Sequence, residues 1–255
     1  MSQTERQAMA WDQHRPSGRL AGRRILVTGA GSGIGKRTAE IFAEEGAKLA
    51  LLDRAADGMT AVAAATGGTP LAVDVTDEAA MQRAAEAAAA AMGGIDGIVN
   101  AAGIGLGGRI ADIDVATFRR VIDVNLTGTY IVIRACLRWL RAARSATVVN
   151  LASATGLLPN NPGLSAYAAS KGAVANVTRA LAAEFAPTIR VNSVCPGLVA
   201  TPMTRDGTRG DVNRYALRRV TSPLEVAQVI LFLTGDASSF MTGTAIAADG
   251  GRTFH

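Results

Sequence analysis

Short runs of aliphatic and β-branched residues alternate along the chain with longer alanine-rich stretches whose apolar positions recur at helical spacing. Short apolar runs bounded by glycine or polar residues are typical of buried strands, and longer amphipathic stretches are typical of helices. The pattern predicts strands within residues 23–29, 48–53, 69–75, 94–103, 146–153, 188–194 and 242–251. It predicts helices over residues 33–46, 77–94, 117–143, 165–185 and 223–234. Alternation at these lengths indicates a parallel sheet covered by helices.

The order of the elements predicts an α/β fold with a single Rossmann-type doubly wound domain and a parallel seven-stranded sheet with helices on both faces. No repeat and no Pro- or Ser-rich linker separates the elements, so we expect one domain over residues 19–255. Residues 1–18 are polar and are expected to form a flexible N-terminal leader. Sheets of this kind bind ligands outside the carboxyl ends of their strands, which is where a site should be sought.

Composition narrows the classes of function. The formal net charge is +5, but the basic residues are scattered and only 4% of the residues are aromatic, so no nucleic-acid surface is indicated. Cys136 and Cys195 are too few for a disulfide framework or a zinc cluster, and His14 and His255 lie near the termini, so no metal site is expected. No apolar run approaches the roughly 18 residues of a membrane span, and no secretory signal opens the chain, so we expect a cytoplasmic protein without a membrane partner.

A glycine-rich turn, TGAGSGIG, follows the first predicted strand at residues 28–35. The spacing fits neither G-x-G-x-x-G nor a phosphate loop, but it fits T-G-x-x-x-G-x-G through Gly29, Gly33 and Gly35. Glycines permit a tight turn and the close approach of a pyrophosphate, and the amides that open the next helix would face its charge. The alternative is a glycine-rich turn with no ligand.

An acidic residue, Asp53, ends the second predicted strand. It stands 18 residues after Gly35, near the spacing of about 20 residues expected of a carboxylate that binds a ribose diol. Such a carboxylate repels a 2′-phosphate, so NAD(H) is favoured as the cofactor. Arg54 follows directly and could accommodate the phosphate, so NADP(H) is not excluded. Alternatively, Asp53 merely ends its strand.

A tyrosine and a lysine stand four residues apart in SAYAASKGAV, residues 165–174. On a helix, Tyr167 and Lys171 would lie on the same face. An ammonium beside a phenol favours the phenolate and lowers its pKa from about 10, which would create a general acid and base. The alternative is an ordinary surface pair at helical spacing.

These motifs, together with NAAG (100–103), PGLVATPM (196–203) and ADGG (248–251), make the chain resemble the short-chain dehydrogenase/reductase family from about residue 19 to 251. The resemblance implies a catalytic tetrad of Asn125, Ser153, Tyr167 and Lys171. Ser153 would bind the substrate oxygen, and Lys171 would also hold the nicotinamide ribose. Asn125 would hold a water that links Lys171 to solvent, or else serve only to kink its helix through a backbone role.

The remaining site residues are assigned through the same resemblance. A substrate lid is expected at about 203–221, and the substrate pocket would include Ser153, Leu157, Leu198, Tyr215 and Ile104. The expected cofactor site comprises Gly29, Ser32, Gly33, Ile34, Gly35, Asp53, Arg54, Asp74, Val75, Asn100, Ala101, Ala102, Gly103, Tyr167, Lys171, Pro196, Gly197, Val199 and Thr201.

Three functions compete at this point. The first is an NAD-dependent oxidoreductase that interconverts a secondary alcohol and a ketone, with Tyr167 as general acid and base. The second is an NADPH-dependent reductase of 3-oxoacyl-[acyl-carrier-protein] type. Asp53 disfavours it, because its carboxylate would repel the 2′-phosphate of NADPH. The third, a non-catalytic nucleotide sensor, would be expected to have lost Tyr167 or Lys171. The resemblance also implies a homo-oligomer, a dimer or tetramer formed through the helices at 117–143 and 165–185.

Overall fold

A computed structural model describes residues 17–204 and 211–253. Its strands are β1 Arg24–Thr28, β2 Lys48–Asp53, β3 Thr69–Ala72, β4 Gly97–Asn100, β5 Ala146–Leu151, β6 Ile189–Pro196 and β7 Ala245–Ala248. Its α-helices are α1 Gly33–Glu44, α2 Ala56–Thr66, α3 Glu78–Met92, α4 Val115–Ile122, α5 Gly128–Ala142, α6 Ala154–Leu157, α7 Ser165–Phe185 and α8 Pro223–Thr234. Among the described residues, no helix is long and apolar enough to cross a membrane.

The strands form one sheet in the order β3-β2-β1-β4-β5-β6-β7, and all neighbouring strands are parallel. The predicted doubly wound fold is therefore confirmed. The strand order reverses between β1 and β4, where Thr28 pairs with Asn100 at the carboxyl edge. Open sheets of this type bind ligands at such a reversal.

The two faces of the sheet bury separate apolar layers, because successive side chains of a strand point to opposite faces. Leu26, Ile98 and Val148 belong to a core shared with α3, α5 and α7. Val27 and Val149, next to them in sequence, belong to the opposite core, which α1 and α8 cover. Every β1, β4 and β5 residue that contributes to these cores is almost fully buried, which explains why the strands read as continuous apolar runs.

The helix predicted at 117–143 is present over residues 115–142 and contains a π-helical turn. A π-helical turn over Asp123–Thr127 separates α4 from α5 and turns Asn125 into the interior, where it is fully buried. The wide turn leaves the Asn125 carbonyl free to accept a hydrogen bond from Thr129 Oγ1 at 2.8 Å. The predicted helix is therefore present, and the π turn within it is a feature that hydrophobic periodicity did not indicate.

Other boundaries differ by a few residues. The strand predicted at 69–75 ends at Ala72, and the Asp74 carboxylate then accepts hydrogen bonds from the Thr76 amide at 2.9 Å and the Thr76 hydroxyl at 2.7 Å. That local turn ends the strand. The predicted start of α8 is confirmed, since Ser222 caps the helix and Pro223 occupies its first turn. The expected leader lies outside the described residues except for Ser17 and Gly18.

Candidate active site

A cleft opens at the carboxyl edge of the sheet, where the chain leaves β1, β2, β4, β5 and β6. Its walls are formed by the glycine turn, the ends of these strands, the first turns of α7 and the beginning of the lid. The lining residues are Gly29, Ser32, Gly33, Ile34, Gly35, Asp53, Arg54, Val73, Asp74, Val75, Ala101, Ala102, Gly103, Ile104, Val124, Leu151, Ala152, Ser153, Tyr167, Lys171, Pro196, Gly197, Val199, Thr201, Pro202, Met203 and Thr204. The cleft therefore joins the two motifs that the sequence singled out.

The glycine turn is shaped by contacts that leave no room for side chains. Gly29 has a φ of +66°, and a Cβ there would lie 2.8 Å from the amide nitrogen of Ala102. A Cβ on Gly35 would overlap the carbonyl oxygen of Gly29. The Thr28 hydroxyl accepts hydrogen bonds from the amides of Ala101 and Ala102, both at 3.1 Å, and so fixes the loop after β4 against the turn. Both glycine requirements are steric.

The start of α1 is open to a ligand. Ser32 occupies the N-cap position with extended backbone but makes no side-chain cap hydrogen bond to the helix. First-turn amides need partners that the helix itself cannot supply, and an anion is a favourable one. The tight glycine turn, followed by an uncapped helix start that lines the cleft, fits the pyrophosphate of a dinucleotide.

Asp53 ends its strand and also lines the cleft. Its Oδ2 accepts a hydrogen bond from the Gly31 amide at 3.0 Å, and its Oδ1 accepts one from the Ala55 amide at 3.1 Å. These bonds end the strand and hold the carboxylate against the glycine turn. Because Asp53 also lines the cleft, its oxygens can accept further hydrogen bonds from a ribose diol. Arg54 lines the same end of the cleft.

Asp74, at the same end, is kept ionised by its local turn. Hydrogen bonds from the amide and hydroxyl of Thr76 lower the pKa of its carboxyl group, and the charges of Arg54 and Arg120 act in the same direction. A carboxylate with a lowered pKa remains an acceptor at neutral pH.

Tyr167 and Lys171 occupy the first two turns of α7, which begins and ends where the sequence predicted. The Lys171 side chain is buried, and its Nζ donates a hydrogen bond of 2.6 Å to the carbonyl oxygen of Leu151. Nζ lies 5.9 Å from the centre of the Tyr167 ring. Burial lowers the pKa of Lys171 to about 8, because the charged form loses hydration.

The expected lowering of the Tyr167 pKa is not found in this structure. Burial raises the pKa of Tyr167 above its ordinary value, and a hydrogen bond with Ser153 opposes that rise. The Lys171 ammonium donates to the Leu151 carbonyl, and burial lowers the pKa of Lys171 as well. The sequence argument considered only helical spacing and could not include this loss of hydration.

Ser153 is the N-cap residue of the one-turn helix α6. Its Oγ accepts a hydrogen bond of 3.1 Å from the Thr155 amide, which caps the helix and fixes the side-chain rotamer. Toward Thr155 the oxygen acts only as an acceptor, so the hydroxyl proton is left for the hydrogen bond with Tyr167. The turn packs tightly on α7, since a Cβ on Gly156 would lie 2.6 Å from the amide nitrogen of Gly172.

Asn125 does not reach the cleft. Its Oδ1 accepts from the Ile104 amide at 2.8 Å, and its Nδ2 donates to the Ile104 carbonyl at 3.0 Å and to Ser170 Oγ at 3.0 Å. These bonds use the oxygen and the amide protons of the side chain for contacts with Ile104 and Ser170. Asn125 thereby fixes Ile104, which does line the cleft.

Four other assigned residues lie outside the cleft lining. Asn100 is buried beneath it and donates to Asn150 Oδ1 at 2.9 Å, because its strand position directs it to the neighbouring strand β5. Leu198 and Tyr215 line a second cavity, next to the C-terminal segment 247–251. Tyr215 is held there by packing on Gly197, where a Cβ would lie 2.8 Å from its ring. Leu157 is exposed at the end of α6.

The cleft also contains residues that were not assigned individually from the sequence: Val73, Val124, Leu151, Ala152, Pro202, Met203 and Thr204. Leu151 and Ala152 end β5, so the rule that ligands bind at strand ends could have found them. Met203 lies where the PGLVATPM motif ends and the expected lid begins, although it was not assigned individually. It is placed by a contact with the loop after β4, where a Cβ on Gly105 would lie 3.1 Å from its sulfur.

The described residues hold no cluster of three or more His, Cys, Asp or Glu side chains suited to a metal ion. Cys136 and Cys195 are buried free thiols, and burial raises their pKa values to about 12 and about 11. The chemistry available in the cleft is therefore that of a phenol, a hydroxyl and an amine.

Known proteins resemble this chain along most of its length. A family model described as Enoyl-(Acyl carrier protein) reductase matches residues 29–253. The 2-(S)-hydroxypropyl-CoM dehydrogenase 3 of Xanthobacter autotrophicus is 37% identical over 93% of this chain and 99% of its own. A 3-oxoacyl-[acyl-carrier-protein] reductase of Thermotoga maritima is 38% identical over 91% of this chain and 98% of its own.

A solved structure leads to the same family. The crystal structure of a short-chain dehydrogenase/reductase from Brucella melitensis, described as a glucose/ribitol dehydrogenase, has a TM-score of 0.88 and 35% identity, covering 93% of this chain and 99% of that one. Identity and coverage of this extent show common descent as well as a common fold. The chain belongs to the short-chain dehydrogenase/reductase family of oxidoreductases, which act on CH–OH and C=O groups.

Proposed function

We propose that the protein is an NAD(H)-dependent oxidoreductase that interconverts a secondary alcohol and a ketone, with Tyr167 as general acid and base. The observation that carries the proposal is that Ser153, Tyr167 and Lys171 line the same cleft as the glycine turn and Asp53. When bound, the nicotinamide supplies or accepts the hydride.

Tyr167 moves the proton at the substrate oxygen. In reduction it donates its phenolic proton as charge builds on that oxygen, and in oxidation its phenolate accepts the proton of the alcohol. Its raised pKa favours the protonated phenol in the free protein. The ligand-free site is thus poised to donate, and oxidation requires that the phenolate be stabilised.

Ser153 and Lys171 assist this proton transfer. The Ser153 oxygen accepts from the Thr155 amide, so its O–H can donate to the substrate oxygen and stabilise the charge that develops there. Lys171 uses one N–H on the Leu151 carbonyl, and an ammonium has two further donors for a ribose and for the phenolate.

Asp53 supports the choice of cofactor. Two backbone amides hold its carboxylate at the edge of the cleft, where it would accept from a 2′-hydroxyl and repel a 2′-phosphate. A second candidate is an NADPH-dependent reductase of 3-oxoacyl-[acyl-carrier-protein] type. It is favoured by Arg54, which lines the same end of the cleft and could pair with a phosphate.

Parallel fluorescence titrations with NADH and NADPH test the cofactor. We expect tighter binding of NADH, and we expect Asp53→Asn to narrow the preference by about tenfold, which is about 1.4 kcal/mol. Asp57→Asn is a matched control, because Asp57 is exposed in the first turn of α2. Tighter NADPH binding by the wild type would favour the reductase of oxoacyl thioesters. If the protein bound neither NADH nor NADPH, both candidate functions would be overturned. Once the cofactor is known, turnover of a panel of secondary alcohols and ketones identifies the substrate.

Self-association is a further part of the proposal. Phe118 and Tyr130 are 40% and 49% exposed on the α4–α5 segment, and exposed aromatic groups on one segment favour burial against a partner. We propose that a second copy covers this segment and α7. Light scattering that gave the mass of a monomer at assay concentration would contradict this.

A further inference from the structure

A buried arginine outside the cleft lining is connected to the active-site serine. Arg252 follows β7 by four residues and is only 3% exposed. Its guanidinium donates to Thr155 Oγ1 at 3.2 Å, to Asn160 Oδ1 at 2.7 Å and to the Leu158 carbonyl at 3.4 Å. All three acceptors belong to the segment that directly follows Ser153.

Thr155 links this arginine to the serine. Its side chain accepts from Arg252, and its amide donates to Ser153 Oγ at 3.1 Å. Thr155 and Ser153 are only 6% and 7% exposed. Hydrogen bonds to solvent therefore do not stabilise another rotamer of either side chain. A displacement of Thr155 would release the hydrogen bond that sets the direction of the serine hydroxyl.

The turn that carries these residues is supported from two sides. On one side, Gly156 packs on α7 so closely that a Cβ would lie 2.6 Å from the Gly172 amide nitrogen. On the other side lies Arg252, whose own amide donates to Asp249 Oδ1 at 3.2 Å. Because α7 carries Tyr167, the two contacts together set the position of Ser153 relative to the phenol.

A buried cation is costly unless its hydrogen bonds are well made. Arg252 makes its side-chain bonds to neutral oxygen atoms of the α6 segment, and an apolar residue could fill the same space without the loss of hydration. The fork of fixed donors is what an apolar residue cannot supply. The buried guanidinium thus serves to orient the α6 segment.

We propose that Arg252 is a positioning residue for the reaction, which holds Ser153 in register with Tyr167 through Thr155. The proposal rests on the proposed function. It assigns to the C-terminal segment a part in turnover, although Arg252 touches neither substrate nor cofactor.

Steady-state kinetics of Arg252→Gln, with NADH and the most active ketone of the panel, test the proposal. We expect kcat to fall about tenfold or more, while the dissociation constant for NADH stays within about twofold, because the glycine turn and Asp53 are untouched. Arg252→Lys keeps the charge but not the fork of donors, and should recover only part of kcat.

Thr155 provides a second arm that does not depend on removing a buried arginine. Thr155→Val removes the Oγ1 acceptor and keeps the amide, so it should lower kcat like Arg252→Gln. Thr155→Ser keeps the hydroxyl and should restore kcat. The double variant Arg252→Gln/Thr155→Val should be no slower than either single variant, since both break one chain of contacts.

Arg190→Gln is the matched control. Arg190 also donates to backbone carbonyls, those of Ser238, Met241 and Gly235, but at the amino end of β6, on the opposite edge of the sheet. It should lower thermal stability without a selective loss of kcat. The proposal is overturned if Thr155→Val retains the wild-type kcat, or if the Arg252 variants lose NADH affinity in step with kcat. A wild type that turns over no substrate would instead overturn the proposed function.

Discussion

The two ends of the cleft are built by different means. At the end near β1 and β2, the shape comes from backbone: Gly29 has a φ of +66°, Gly35 meets the Gly29 carbonyl, and backbone amides hold Asp53. At the end near β5 and α7, the site consists of side chains whose burial changes their pKa values, with Lys171 lowered to about 8 and Tyr167 raised. The first end provides a tight backbone turn with exposed hydrogen-bond donors. The second end provides reactive side chains that are buried away from water.

This difference determines how each end should fail. A substitution at the backbone-built end adds atoms where none fit, so it should weaken nucleotide binding and stability. A substitution at the side-chain-built end leaves the cavity in place but removes a proton carrier or a charge, so it should affect turnover or pH dependence. The following experiments separate the two kinds of failure.

Tyr167→Phe should give the largest effect. Removal of the phenolic hydroxyl eliminates the general acid and should lower kcat by about 10²–10⁴, while NADH binding stays within about threefold because the backbone-built end is unchanged. Steady-state kinetics and a fluorescence titration measure the two quantities. Tyr130→Phe is the control, since Tyr130 is half-exposed on α5 and should retain full turnover. An unchanged kcat in the Tyr167 variant would end the assignment.

Lys171→Met should change stability in a pH-dependent way. Because the pKa is lowered from 10.5 to about 8 on folding, the wild type bears the cost of a buried charge below pH 8. That cost disappears as pH rises toward 10.5, since the unfolded chain then binds more protons than the folded one. We therefore expect the variant to be more stable by up to about 3 kcal/mol near neutral pH, less about 1 kcal/mol for the lost bond to Leu151, and to lose this advantage near pH 10.5.

Urea unfolding at both pH values measures this difference. Lys48→Met is the control, because Lys48 is exposed at the start of β2 and should show no such dependence. A stability difference between wild type and Lys171→Met that did not move with pH would mean that burial leaves this lysine pKa at its ordinary value.

Gly29→Ala against Gly93→Ala should give the smallest effect and the sharpest comparison. Both glycines have positive φ, +66° and +79°, so both variants should lose about 1–2 kcal/mol of stability to the left-handed conformation, and Gly29→Ala should lose more because its Cβ also meets backbone atoms. Only at Gly29 does a Cβ meet backbone, since nothing lies within 4 Å of the one at Gly93. We expect NADH affinity to fall about tenfold in Gly29→Ala and to be unchanged in Gly93→Ala. Equal affinities would show that the turn is not a close-approach site.

The sheet, the cleft and the bounds of α7 could be predicted from the sequence, because each depends on a local pattern: apolar runs, glycine spacing and helical periodicity. The π turn could not, since it depends on hydrogen bonds between Asn125 and Ile104, which are 21 residues apart. The direction of the Tyr167 pKa shift could not either, because loss of hydration depends on everything packed around the ring. Tyr215, which is expected in the substrate pocket from its position in the lid, packs on Gly197 and lines a second cavity, a contact that no local pattern indicates.

The contact between Gly156 and Gly172 has a consequence for redesign. Two backbones touch there, so the spacing of the serine and tyrosine hydroxyls is set by the absence of side chains. Residues 151–156 and 167–172 therefore form a cassette that a mutagenesis library should leave untouched. New substrates are better sought by varying Met203, a half-exposed residue of the cleft lining, where side-chain size can change without altering the geometry of proton transfer.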